Sequence, residues 1–298
     1  MNPIRISAAL LLGTAVVLAS LPAAQPDGSL PPTAMPRDYE GPLPRPKPRS
    51  AAEVEAVLAG APKLPEKVRP LRIVLVAGKK DHGKGEHDYP AWQKAWSALV
   101  RRAPQVEVAT GWEWPDREEF RKADVIVFYQ HGDWTPDRAA DIDAFLARGG
   151  GLAYIHWAGD GREDAPGFAR RIGLASHGGK IKYRHGPLDL AFPRDIRHPI
   201  TRNFDRLKLV DESYWPLIGD LPQDRVLATQ VEDGQPRPML WTVEHGRGRV
   251  FVSIPGHFSW TFDDPLFRVL LLRGIAWAAK EPVDRFNDLV WPGADFTR

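Results

Sequence analysis

Cysteine is missing from the 298 residues of the chain, and its absence excludes several kinds of site. The chain can form no disulfide, and it has no thiolate to act as a nucleophile or as a zinc ligand. A lipid anchor attached through cysteine is excluded for the same reason. Any reactive centre must therefore be built from other groups, chiefly histidine and carboxylate side chains.

An excess of charge of either sign is also lacking. The 40 lysines and arginines nearly balance the 38 aspartates and glutamates, which gives a formal net charge of +2. Basic residues are scattered among acidic ones rather than clustered, so no nucleic-acid partner is expected. Neither a G-x-G-x-x-G motif nor the P-loop spacing occurs, and we expect no bound nucleotide.

Long apolar runs are missing beyond the first 24 residues. Arg5 supplies a short positive region, residues 8–21 are mostly apolar, and Ala23 and Ala24 offer a cleavage site. This pattern predicts a signal peptide over residues 1–24 and an exported protein, periplasmic or extracellular. An uncleaved anchor is the alternative, although the run is short for a bilayer span. No membrane association beyond this segment is expected.

Residues 25–70 are predicted to be a proline-rich linker. Seven prolines between residues 31 and 48 favour extended polyproline structure, and we expect nothing in residues 25–50 to add to a core. Residues 51–59 (AAEVEAVLA) predict a short helix within the linker. At the other end of the chain, residues 281–298 are expected to lie over the surface as a C-terminal tail.

Apolar strands and helices alternate from residue 71 onward. Strands are predicted at residues 71–77, 106–109, 124–129 and 152–156, and helices at residues 88–101, 117–122 and 135–148. This order predicts parallel strands joined by helical crossovers. Short strands at residues 226–231, 239–244 and 249–254 and a closing helix at residues 264–280 follow. The sequence thus predicts one α/β domain over residues 71–280, with a doubly wound, mainly parallel sheet and an antiparallel extension.

Histidines recur where the predicted parallel strands end, which is the edge at which open α/β sheets bind ligands. The first strand runs into a loop that contains His82 and His87, and another strand ends at His156. No H-E-x-x-H motif or other helical histidine pair occurs, so spacing alone leaves metal binding open. Surface exposure is the alternative for the first loop, with Asp88 as a helix N-cap. His198, before a proline, is interpreted as the start of a turn.

Tryptophan is abundant, with eleven residues in the chain. Six of them lie in predicted loops or at strand ends, where exposed rings would stack on the apolar faces of sugars. Packing in the core is the alternative for at least half of these six. The six are Trp112, Trp114, Trp134, Trp157, Trp215 and Trp260. Three others lie in predicted helices and are interpreted as core residues, namely Trp92, Trp96 and Trp277.

The ordered series of motifs resembles the ThuA-like, or trehalose-utilisation, family over about residues 71–280. The motifs are GEHDYPAWQ, GGGLAYIHWA, HPITRNF, LVDESYW and MLWTVEHGRGRVFVSIPGHFSW. The resemblance implies a flavodoxin-like fold related to class I glutamine amidotransferases and a link to sugar catabolism. In those amidotransferases a strand-to-helix elbow carries a cysteine nucleophile. The matching elbow here is YIHWA around His156, so thiol-based amide hydrolysis is excluded.

Three functions follow as hypotheses, and the first is an enzyme that acts on a sugar or keto-glycoside by acid/base chemistry. In it His156, Glu212 and His257 are catalytic, and a divalent metal such as zinc is bound by His82, His156, Glu212 and His257. The substrate, a small sugar or glycoside, would contact His82, His87, Asp88, Trp134, Trp157 and Tyr214. The second hypothesis is a non-catalytic carbohydrate-binding module that uses the loop tryptophans. The third is a structural or partner-binding domain.

Overall fold

The computed structural model describes residues 33–132 and 134–298. The predicted signal peptide and the first part of the predicted linker lie outside this range. The strands are β1 (Arg49–Ser50), β2 (Leu71–Ala77), β3 (Val106–Trp112), β4 (Val125–Phe128), β5 (Gly151–Ile155), β6 (Leu174–Ala175), β7 (Lys182–Ala191), β8 (Arg206–Trp215), β9 (Ile218–Gly219), β10 (Val226–Glu232), β11 (Gln235–His245), β12 (Gly248–Ser253) and β13 (Phe296–Thr297). The α-helices are α1 (Ala51–Leu58), α2 (Tyr89–Val100), α3 (Arg117–Lys122), α4 (Ala139–Ala147), α5 (Ala165–Ile172) and α6 (Pro265–Ala278). Within this part of the chain, no helix is both long and apolar enough to cross a bilayer.

One mixed sheet organises the domain, in the strand order β3-β2-β4-β5-β12-β11-β10-β7-β8. The five strands from β3 to β12 run parallel. The remaining four continue the sheet with antiparallel pairing. The predicted α/β class, with parallel strands first and an antiparallel extension after them, is confirmed.

Helices cover both faces of the sheet. Gly151 of β5 faces α6, because a Cβ at this position would lie 2.3 Å from the carbonyl oxygen of Ala278. Gly248 of β12 faces α4, because a Cβ there would lie 2.7 Å from Cα of Leu146. Arg249 is the register partner of Gly151, and successive residues of a strand point to opposite faces. The two helices therefore lie on opposite sides of the sheet.

Parts of both terminal segments are buried in the core, so the two expectations about them are wrong for these parts. Met35 of the predicted linker is fully buried, and its backbone N–H donates to the carboxylate of Asp263 at 3.1 Å. Phe286 and Val290 of the predicted tail are buried in the same cluster. Arg268 of α6 is fully buried, pairs with Asp263 and donates to the carbonyl oxygen of Val290. Buried charges need such partners, so this ion pair ties both ends of the chain to α6.

Two long strands are absent from the predictions. β7 and β8 pair over ten residues at the antiparallel end of the sheet. The sequence of β7 contains Gly186 and Pro187, which are typical of turns and conceal the strand. In β8 the alternation of exposed and buried residues ends where Asp211 and Glu212 are both buried. The pattern of a strand predicts apolar residues at buried positions, so these two acidic residues conceal β8.

Candidate functional site

The C-terminal ends of the parallel strands meet at one edge of the sheet, and three histidines lie there. His156 directly follows β5, His257 follows β12, and His87 lies at the end of the long loop after β2. β8 adds Glu212 from the antiparallel side. The backbone N–H of His87 donates to the carbonyl oxygen of His257 at 2.9 Å, which fixes the loop against the turn after β12.

His156 occupies a strained elbow between β5 and the turn that follows it. Its φ of +56° lies in the left-handed region, which a residue with a side chain rarely adopts. The hydroxyl of Tyr214 donates to the His156 carbonyl oxygen at 2.8 Å and holds this conformation. Gly256 passes close by, since a Cβ there would lie 3.2 Å from Cβ of His156. Strain of this kind is found at functional sites, where the surrounding structure maintains it.

The four side chains converge on one point. His87 Nε2 lies 2.8 Å from His156 Nε2, and His257 Nδ1 lies 3.3 Å from the same atom. Glu212 Oε2 is 2.7 Å from His257 Nδ1 and 3.7 Å from His156 Nε2. All four donor atoms lie within 4.8 Å of one another, and all four residues are buried. Tetrahedral zinc with nitrogen and oxygen ligands separates its donors by about 3.3 Å, so this shell has the required size.

The hydrogen bonds of the two facing imidazoles fix their tautomers. His156 Nδ1 donates to the carbonyl oxygen of Ile254 at 2.7 Å, and His87 Nδ1 donates to the Asp81 carboxylate at 2.8 Å. Each neutral ring then has only a lone pair at Nε2, and the two lone pairs point at each other. A cation between the two nitrogens would satisfy both lone pairs.

Burial disfavours a proton on either of the two rings. It lowers the pKa of His87 to about 4 and the pKa of His156 to about 3, so both rings are neutral at physiological pH. Burial raises the pKa of Glu212, but hydrogen bonds from two histidines outweigh it and hold that pKa well below its usual range. Burial lowers the pKa of His257, yet the carboxylates of Glu212 and Glu86 raise it to about 9. Two neutral imidazoles and an ionised carboxylate are the ligands that divalent transition metals prefer.

Asp211 holds the site together from beneath. It is fully buried, and its Oδ1 accepts the backbone N–H groups of Glu212, Gly256 and His257 at 2.7, 3.0 and 3.1 Å. Its other oxygen accepts the hydroxyl of Thr261. One carboxylate thus sets the position of two of the four converging residues.

The mouth of the site is lined by half-exposed histidines. Asp81 binds the Nδ1 atoms of His82, His87 and His131 at 2.9, 2.8 and 2.6 Å. His185 of β7 donates from Nε2 to the Glu212 carboxylate at 3.1 Å. Six of the nine histidines of the chain therefore lie in or beside the four-residue cluster.

The N-terminal segment supports this mouth from outside. The ring of Tyr39 packs edge-on against Phe258 and Trp260, at 5.3 and 4.7 Å between ring centroids. Gly85 comes so close that a Cβ there would lie 2.7 Å from Cβ of Tyr39. Phe258 follows His257, so the predicted linker contributes to the position of a site residue.

Most of the predicted site residues are found at the site, with one exchange. His156, Glu212 and His257 converge as predicted, but His87 takes the place assigned to His82 in the metal shell. His82 lies at the mouth with 43% of its side chain exposed. The carboxylate of Asp88 accepts the backbone N–H of Ala91, as the N-cap alternative has it.

The predicted aromatic contacts are largely corrected. Trp134 is 5% exposed and stacks on Phe168, so the prediction of an open sugar-stacking ring there is wrong. Tyr214 is 1% exposed and serves the elbow. Trp157 is half-buried beside Tyr214 and keeps part of its surface open. Trp215 and Trp260 are also buried, which confirms packing for half of the six loop tryptophans.

Four residues of the site are missing from the predicted set. Asp81, Glu86 and His131 lie in the polar segments that follow strands, and His185 lies in the undetected strand β7. The signal for His185 is its register partner Glu212, which becomes visible only once β7 and β8 are paired.

The fold and the site define an α/β protein with a buried histidine–carboxylate cluster at the edge of a mixed sheet. The chain belongs to the ThuA family, since the model of that family, described as trehalose utilisation, matches residues 73–278. It is similar to a ThuA-like protein from Parabacteroides merdae, with 23% identity, a TM-score of 0.54 and coverage of 70% of this chain and 90% of that one. A ThuA-like protein from Bacteroides uniformis has 16% identity and a TM-score of 0.57, with 74% and 95% covered. A comparison with curated proteins finds no match.

Proposed function

We propose that the protein is an exported enzyme that acts on a sugar or keto-glycoside by metal-assisted acid/base chemistry. Membership of the ThuA family supports a role connected with sugars. The observation that carries the proposal is the approach of His87 Nε2 and His156 Nε2 to 2.8 Å, with Glu212 beside them. Two neutral rings in this arrangement call for a cation.

The residues fit a divalent metal, and zinc suits their chemistry best. His87, His156 and Glu212 would hold it, and His257 would join them through Nδ1 after releasing the proton it donates to Glu212, with no cysteine needed. A divalent cation at this position would supply a Lewis acid for a carbonyl or hydroxyl oxygen of the sugar. His156 is then a ligand rather than a general base, because its side chain has no exposed surface.

We assign proton transfer to His82 at the mouth of the site. Asp81 orients His82 through Nδ1, which directs Nε2 away from the carboxylate and leaves it to exchange a proton with substrate or solvent. The ring of His82 lies 3.9 Å from that of His87, so it is next to the cluster as well as open to solvent.

The amidotransferase relatives of the predicted flavodoxin-like fold use a cysteine at the elbow. His156 takes that place here, and we propose that no covalent acyl intermediate forms. A carbohydrate-binding module based on loop tryptophans is supported less well, because three of the six rings are buried. Export is proposed from the signal-like pattern of residues 1–24.

Turnover of trehalose and of keto-glycosides tests the proposal. We expect zinc-supplemented protein to convert at least one of them, and we expect a chelator or His156→Ala to abolish conversion. His198→Ala is the matched control. His198 accepts the backbone N–H of Ile200 in a turn and is not one of the four converging residues, so this variant should keep its turnover. Failure of the wild-type protein to change any of these sugars would overturn the proposal.

A further inference from the structure

We propose that Tyr183, His185 and Glu86 form a subsite for a second sugar ring, next to the four-residue cluster. This inference rests on the proposed function and names the shape of its substrate, a glycoside with at least two rings. The ring that reacts would lie at the cluster, and its neighbour would lie on the Tyr183 side.

The pairing of β7 with β8 places these residues on one face. Tyr183 is the register partner of Tyr214, and His185 is the register partner of Glu212. Residues two apart in a strand share a face, so Tyr183 and His185 lie on the side that carries the cluster. Among the described residues, Tyr183 is one of three large hydrophobic side chains that are strongly exposed, at 65%.

The ring of His185 lies between Tyr183 and His257 of the cluster. The centroid of His185 lies 4.3 Å from that of His257 and 5.6 Å from that of Tyr183. The packing of the protein gives no reason for an exposed tyrosine in this place. An open aromatic face beside a polar centre is the surface that binds the apolar face of a pyranose ring.

A buried nitrogen without a hydrogen-bond partner lies beside the same surface. His257 is 1% exposed, and its Nε2 has no hydrogen-bond partner among the described residues. The nearest carboxylate oxygen belongs to Glu86 and lies 3.7 Å away, which is too far for a direct hydrogen bond. A sugar hydroxyl between them would accept from Nε2 and donate to Glu86. His185, with 34% of its side chain exposed, would bind a further hydroxyl.

Calorimetric titration of zinc-supplemented protein with two sugars tests the subsite. Trehalose has two glucose rings and methyl α-glucoside has one. We expect Tyr183→Ala to weaken trehalose binding about five- to tenfold and to change methyl α-glucoside binding less than twofold. Tyr183→Phe should bind both sugars like the wild type, because it keeps the ring. Trp112→Ala, at another exposed aromatic residue with 53% exposure, is the control and should change neither.

The outcomes separate this inference from the proposed function. Normal trehalose binding by Tyr183→Ala would overturn the subsite and leave the function standing. Equal weakening of both sugars would overturn it too, because Tyr183 would then serve the whole site rather than a second ring. Wild-type protein that binds neither sugar would overturn the function and the subsite together.

Discussion

Replacement of Asp211 by alanine is predicted to destabilise the protein strongly, although Asp211 would touch neither metal nor substrate. The carboxylate is fully buried and accepts three backbone N–H groups, from Glu212, Gly256 and His257. A buried donor without an acceptor costs about 1–3 kcal/mol. Because water entering the vacated space would satisfy part of this loss, we expect a total of about 3–5 kcal/mol.

Urea unfolding of the metal-free protein measures this loss, as a shift of the midpoint at constant slope. Asp211→Asn retains an oxygen at the same place and should lose less than half as much. Asp189→Ala removes an exposed aspartate that pairs with Arg206 at the surface, and should stay within about 0.5 kcal/mol of the wild type. If Asp211→Ala unfolds within about 1 kcal/mol of the wild type, Asp211 does not hold the site as described.

Two further predictions concern other parts of the molecule. Gly85→Ala should loosen residues 33–48, because a Cβ there would meet Tyr39, and proteolytic cleavage of this segment should become faster. Gly60 has a similar φ but open space around it, so Gly60→Ala is the control. Equally fast cleavage of residues 33–48 in Gly60→Ala would contradict this reason. Burial lowers the pKa of His198 to about 4, whereas the unfolded chain protonates it near 6.5, so the unfolded state binds more protons between these values. Stability should therefore fall as pH falls from about 6.5 to about 4, and His198→Asn should flatten this part of the curve of unfolding free energy against pH. An unchanged curve in that variant would contradict the assignment.

The parallel half of the fold could be predicted because its strands are buried on both faces. β2 and β4 are almost entirely apolar, Asp88 caps the helix that follows β2, and Asp264 caps the closing helix α6. The antiparallel end was only partly predictable. β7 contains a glycine and a proline and leaves several residues exposed, so the strand depends on its pairing with β8 rather than on its own pattern.

The residues of the candidate site could also be predicted only in part. His156 could be predicted because it directly follows the apolar strand β5 at the edge of the sheet. His257 lies further along the turn after β12, and the family resemblance of its motif supported it more than its spacing did. The choice between His82 and His87 could not be predicted, since periodicity carries no information within a loop. The positive φ of His87 and its hydrogen bond to the turn after β12 decide it, and both depend on contacts distant in sequence.

Zinc titration by calorimetry tests the central claim most directly. The account predicts that one zinc ion binds per chain, that binding raises the melting temperature, and that His87→Ala and His156→Ala each abolish both effects. His245→Ala should bind like the wild type, because His245 contacts the Arg171 carbonyl oxygen in a hairpin rather than the cluster. Absence of zinc binding, or binding that survives in His156→Ala, would contradict the claim that this cluster is a metal site.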